Sequence, residues 1–189
     1  MKGPGPDNPA PATAADRDFD AREFRNALGQ FPTGVCVVTA RAMDGEDLGM
    51  TMSSFNSLSL DPPLVLFSVD RRSRSLHKWQ DTKGYAINVL AESQKTISDR
   101  FARPLSNKWT GIDFDRGYAD APLLRGITAC FECRPHAIHD GGDHVLFVAQ
   151  VVRFWTIQDR SPLIFCKGNY GALKPTGEPA PLWPLAIHY

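Results

Sequence analysis

Residues 139–144 read His-Asp-Gly-Gly-Asp-His, and His136 stands three positions upstream. Histidines beside carboxylates can hold a divalent metal, or one of them can move a proton near neutral pH. Metal binding requires His136, His139 and His144 to converge, but on a strand a separation of three sends His136 and His139 to opposite faces. Asp140, Gly141, Gly142 and Asp143 read instead as a hairpin turn, because they tolerate positive φ. This leaves His144 at the start of the following strand as the residue of chemical interest, with no metal site assigned. A second group is the single CxxC of Cys130 and Cys133. It lies in a strand-like run, its two thiols face opposite ways, and no second CxxC completes a zinc spacing. All four cysteines, with Cys36 and Cys166, are expected to be reduced structural thiols. A third group is residues 49–69, GMTMSSFNSLSLDPPLVLFSV, where Thr51, Ser53, Ser54, Asn56, Ser57 and Ser59 crowd before an apolar strand. Small hydroxyls beside backbone N–H groups suit a flat ligand bearing carbonyls and phosphate, although a Ser/Thr-rich edge strand has the same composition. Residues 71–75, RRSRS, place arginines and serines at the start of an expected helix, where anions are favoured; a solvated basic turn is the alternative. No GxGxxG follows a strand and no GxxxxGK[ST] occurs, so the usual phosphate-cradling loops are missing.

These groups need a frame, and composition bounds it. The chain has 189 residues, 42% of them hydrophobic, enough for one domain. Lys plus Arg equal Asp plus Glu at 21 each, which gives no net field toward nucleic acid or an anionic membrane. No apolar run reaches the roughly 20 residues of a membrane span, and the start lacks an apolar segment with a basic flank, so a cytoplasmic protein is expected. Residues 1–17 are rich in Pro, Ala and Gly and read as a disordered arm, leaving a domain over 18–174. Residues 175–189, with four prolines, read as an extended tail.

The segment 18–31 reads as a helix that Asp20 caps, with Phe24, Leu28 and Phe31 on one face and Pro32 closing it. About seven strands follow, over 34–40, 50–60, 63–69, 85–90, 127–138, 144–155 and 162–168. Two helical pieces interrupt them, one with Leu76 and Trp79 on one side and one with Ile97 and Phe101 four apart. So many strands and so few helices predict a mainly β fold, a closed or partly closed barrel with peripheral helices.

Five segments in order, FPTGVCVVTA, GMTMSSFNSLSLDPPLVLFSV, YAINVL, GGDHVLFVAQV and PLIFCKGNYG, resemble the successive signatures of the short-chain flavin reductase family. The resemblance spans roughly residues 20–173 and implies a homodimeric Greek-key split barrel of six to seven strands. It implies an enzyme that uses NADH, or NADPH, to reduce FMN or FAD and supplies the reduced flavin to a partner monooxygenase. A flavin-retaining reductase of a metal or corrinoid substrate, or a non-catalytic flavin- or haem-binding protein on the same barrel, stays open beside it. By resemblance Thr33, Gly34, Thr51, Ser53, Ser54 and Phe55 wrap the flavin ring, mostly through backbone atoms. Met52 stands where alanine is common and is tolerated for that reason. Ser73 and Ser75 fall at phosphate-side positions with Arg74 as ion partner. Asn88, Val89 and Leu90 line the ring or ribityl chain, and Lys108 matches a basic position before a glycine. His144 lies near the nicotinamide, and Tyr170 forms a wall of the pocket.

Overall fold

The computed structural model describes residues 20–104 and 107–173. The arm expected over 1–17 and the tail expected over 175–189 lie outside the described residues. The expected first helix is α1, Ala21–Leu28, and Asp20 caps it: its carboxylate accepts from the N–H groups of Arg22 at 2.7 Å and Glu23 at 3.2 Å. It ends earlier than Pro32, because Gly29 takes the C-cap and its N–H bonds back to Arg25 O at 2.9 Å.

The chain continues through β1 (Thr33–Gly34), β2 (Cys36–Arg41), β3 (Asp47–Met52), β4 (Asn56–Leu60), β5 (Pro63–Asp70), α2 (Leu76–Asp81), β6 (Tyr85–Val89) and α3 (Lys95–Ala102). It then forms β7 (Phe114–Arg116), β8 (Pro122–Leu124), β9 (Ala129–Gly141), β10 (His144–Thr156), β11 (Ile164–Cys166) and β12 (Asn169–Gly171). Seven strands make one antiparallel sheet in the order β3-β2-β6-β9-β10-β5-β4. Its two edge strands, β3 and β4, are joined by residues 53–55 alone. At about 3.5 Å per extended residue such a link spans no more than roughly 14 Å, so the sheet curls until its edges meet. No ladder joins β3 to β4, which leaves the barrel split at that seam. The run 50–60, expected as one strand, is therefore two strands with a corner between them.

Alternation sorts the side chains into two layers. Cys36, Val38, Ala40, Phe67, Val69, Tyr85, Ile87, Cys133, Val145 and Phe147 point into the barrel. There the Phe67 and Phe147 rings stack with centroids 5.1 Å apart, and Tyr85 meets Phe67 edge-on at 5.1 Å. Val35, Val37, Ala86, Leu90, Phe101, Leu124, Cys130 and Leu163 form a second cluster on the opposite face. It lies under α3, the β7–β8 hairpin and the small β1-β11-β12 sheet. Cys130 and Cys133 thus fall in different layers. Gly49 is the point of closest approach between β3 and α3: a Cβ there would stand 2.4 Å from the Phe101 ring.

Candidate active site

The corner at residues 53–55 is the centre of the site. The N–H groups of Ser53, Ser54 and Phe55 lie outside the ladders of β3 and β4, and among the described residues no turn or loop bond takes them up. Ser53 is exposed. The Ser54 hydroxyl accepts from the Ser68 N–H at 3.1 Å, which pins the corner to β5. Two residues further along β5 is Asp70, whose cross-strand partner on β10 is His144. The register therefore brings the corner, the end of β5 with the loop 71–75, and the β9–β10 turn to one rim of the barrel.

His144 pairs with Gly141, so Gly142 and Asp143 alone make the turn, and Gly142 adopts φ +74°, the left-handed region that a glycine-first hairpin requires. The His144 ring is held by Asp143, Nδ1 to Oδ1 at 2.7 Å. An ionised carboxylate only accepts, so Nδ1 carries the proton, and in the neutral imidazole Nε2 is left as the acceptor. Asp70 lies well below the ordinary carboxylate range, chiefly through its hydrogen bonds from the Arg72 side chain and N–H. It thus stays anionic opposite His144.

Arg71 was not singled out in the sequence, yet it spans the rim. Its N–H donates to Asp143 O at 2.9 Å, its Nε to Gly142 O at 2.7 Å and its guanidinium to Asp140 Oδ1 at 2.6 Å. In the following loop the Ser73 and Ser75 hydroxyls stand 3.2 Å apart, and Ser75 also accepts from Trp79 Nε1 at 3.2 Å. Arg74 is exposed, with no partner among the described residues.

A second group adjoins the corner through β3. The Thr51 hydroxyl donates to Ser98 O on α3 at 2.7 Å, and Ser98 Oγ stands 2.8 Å from the Tyr170 hydroxyl, which donates to Asp99 at 2.9 Å. Tyr170 packs edge-on to Phe165, the cross-strand partner of Thr33. Burial, with Asp99 beside it, raises the Tyr170 phenol against the opposing pull of Ser98. Gly34 and Gly171 flank Ile164 on either side of β11, and a Cβ at either would meet nothing within 4 Å. A flat group can therefore approach the backbone here, and with the free N–H groups of the corner the residues present fit a flavin ring. Neither Ser98 nor Asp99 was foreseen, since nothing in the sequence of α3 shows which face meets β3.

Four further expected site residues have side chains engaged within the protein. Asn88 is fully buried: its amide donates to Val37 O, Thr39 Oγ1 and Ala86 O, and its oxygen accepts from Leu124 N at 2.8 Å. It ties β6 to β2 and β8 and has no polar atom left for a ligand. Leu90 is likewise within the outer cluster, while Val89 is half-buried, its carbonyl bonded to Thr128 N. The Lys108 ammonium donates to Phe101 O at 3.1 Å and Gly49 O at 3.2 Å, a clamp between the last turn of α3 and β3, and burial lowers its pKa. The Met52 side chain is buried, which leaves only its backbone to the site.

Burial pushes the Cys36 and Cys133 thiols up to about 12 and raises Cys130 as well, so these three are inert as nucleophiles. His139 lies opposite Leu146 on β10, one rung pair away from His144. Among the described residues no three His, Cys, Asp or Glu side chains are placed to hold a metal, and no helix is long and apolar enough to cross a membrane.

Comparison with known proteins adds to this geometry. The model of the flavin reductase like domain matches residues 28–174. The stachydrine N-demethylase reductase subunit Stc3 of Rhizobium meliloti is 39% identical over 82% of this chain, which spans 66% of that protein's length. The FMN reductase (NADH) SmoA of Agrobacterium fabrum is 42% identical over 80% of this chain and 86% of its own. Among solved structures, the NADH:FAD oxidoreductase SgcE6 of Streptomyces globisporus, in complex with NAD and FAD fragments, superposes with a TM-score of 0.80. It shares 32% identity over 84% of this chain and 96% of that one.

Proposed function

The chain belongs to the flavin reductase like family, and from that premise and the rim geometry we infer that it is an NAD(P)H:flavin oxidoreductase, the reductase component of a two-component monooxygenase. The observation that carries this reading is the corner at 53–55, three successive backbone donors outside any ladder on the rim that His144 shares. Relatives named as an NADH-dependent FMN reductase and as an NADH:FAD oxidoreductase support FMN or FAD as the flavin and NADH as the reductant.

Flavin supplies a ring that accepts two electrons as hydride from a dihydronicotinamide. The chain supplies placement. Donors fixed at Ser53, Ser54 and Phe55 would set a positive potential beside a bound ring, which would favour the charge gained on reduction. Thr33, Gly34 and Thr51 offer backbone to the ring, and Tyr170 stands as a wall on the same side. Ser73 and Ser75 would hold the flavin phosphate, with exposed Arg74 as its cation. His144, fixed by Asp143, directs Nε2 toward the nicotinamide or toward a proton of the reduced ring. Lys108 acts from behind, holding α3 against β3.

The functional unit is a homodimer in the cytoplasm, with an oxygenase as recipient of the reduced flavin. Phe154 is 67% exposed yet stacks on Phe131, 6.2 Å between centroids, and Val152, Leu58 and Leu60 are exposed as well. Apolar side chains at an open sheet edge are what a second copy covers. Four free cysteines accord with a reducing compartment. The reading is tested by steady-state rates over FMN, FAD and riboflavin with NADH and NADPH. Repeated turnover of NADH that depends on added flavin supports it, and no flavin-dependent turnover with any pair contradicts it.

A further inference from the structure

We propose that Arg71 is a positioning residue that couples the two ligand-holding segments of the rim, the loop 71–75 and the turn 140–144, so that flavin and nicotinamide bind interdependently. The inference rests on the proposed function above and assigns a role to a residue that touches neither ligand in that reading.

The geometry is specific. Arg71 is the first residue after β5 and opens the loop that carries Ser73, Arg74 and Ser75. From there it makes three bonds to three successive parts of the opposite turn: the Asp140 carboxylate, the Gly142 carbonyl and the Asp143 carbonyl. Asp140 in turn accepts from the Gly142 N–H at 3.0 Å, so the carboxylate that receives Arg71 also shapes the turn. Asp143 is the residue that orients His144. On the loop side Arg72 is folded back onto Asp70, and Ser73 N–H bonds to Asp70 O at 2.9 Å, so the loop is anchored to the strand end that faces His144. A displacement of the loop by an anion at Ser73 and Arg74 is thereby passed through one planar guanidinium to the Asp140 carboxylate and the Gly142 carbonyl, and so to the turn that Asp140 shapes. Arginine suits this because its donors form a rigid fork, which lysine does not provide.

The Arg71 and Asp140 side chains are 43% and 79% exposed, so their pair adds little to global stability. Its consequence is instead a coupling between sites, and coupling of binding is reciprocal. NAD⁺ and oxidised flavin do not react with one another, so both can be bound at equilibrium. The experiment measures flavin affinity with and without saturating NAD⁺ for the wild type, Arg71→Met, Asp140→Asn and the double variant, beside steady-state NADH turnover of each. Bound NAD⁺ is expected to change flavin affinity about fivefold or more in the wild type. That factor is expected to fall to about one in both single variants, with no further loss in the double variant because the two act as one unit. Arg71→Lys is expected to recover only part of it. A merely structural role lowers both affinities and leaves their ratio intact. Coupling that is absent in the wild type, or unchanged in either single variant, overturns the inference while flavin reduction stands. A wild type that neither binds nor turns over flavin overturns both.

Discussion

At the scale of single residues, His144 and Asn88 take opposite roles from similar sequence signals. His144 is half-exposed on the rim, oriented by Asp143, with its second nitrogen uncommitted. His144→Ala is expected to slow NADH-dependent flavin reduction by about 10²-fold, the lower end of what a positioned acid–base group contributes. Flavin affinity, measured by fluorescence titration, is expected to change less than threefold, on the order of 0.6 kcal/mol. The Asn88 side chain is instead spent on buried hydrogen bonds. Truncation in Asn88→Ala strands the Leu124 N–H and removes the amide donor shared by Val37 O, Thr39 Oγ1 and Ala86 O in the buried layer, a cost of about 3 kcal/mol. Urea unfolding is expected to register that loss while flavin affinity of the folded fraction is retained. In the sequence both read as polar residues in apolar strands. Half of what separates them was legible there: the DGGD turn marks His144 as the start of a strand, whereas the β8 strand that covers Asn88 left no signal.

At the scale of elements, alternation made most of the barrel legible. The opposed faces of Cys130 and Cys133, the inward aromatic rungs of β5, β6 and β10, and the HDGGDH hairpin all follow from a period of two and from turn chemistry. The corner at 53–55 was not legible, because the run of small hydroxyls keeps its alternation across the break. Residues 114–124 were missed as well: β7 and β8 are three residues each, and between them Ala119 and Asp120 adopt φ of 52° and 59°, which no propensity forecasts. That loop is held from beneath by Glu132 of β9, fully buried, which accepts from the Tyr118 N–H and from the Arg153 guanidinium. Burial raises the Glu132 pKa, but the Arg153 and Tyr118 bonds outweigh it and the net value is lowered. A carboxyl depressed in the folded state stabilises it above the unfolded value of about 4.3, and that stability is lost as pH falls through the folded value. Glu132→Gln is therefore expected to flatten the acid limb of a stability–pH profile below about pH 4.3 and to lower stability at pH 7 by about 3 kcal/mol. An unchanged acid limb would show that other carboxylates govern it.

At the scale of the whole molecule, the split barrel leaves Phe154, Val152, Leu58 and Leu60 exposed, and places the corner proposed to hold flavin on an open rim. Light scattering in solution is expected to give twice the 20.9 kDa chain mass. Phe154→Glu is expected to shift the protein toward the monomer, because a charge at a buried interface costs several kcal/mol. An unchanged mass in that variant would remove this face from the interface. An open rim also fits a ligand that leaves after reduction. The most direct measurement is anaerobic reduction of a large excess of free FMN or FAD by NADH with a trace of the purified protein, followed by loss of flavin colour. The expected result is complete reduction of the flavin pool, many equivalents per chain. Reduction that stops at one equivalent per chain would contradict a reductase that supplies free reduced flavin.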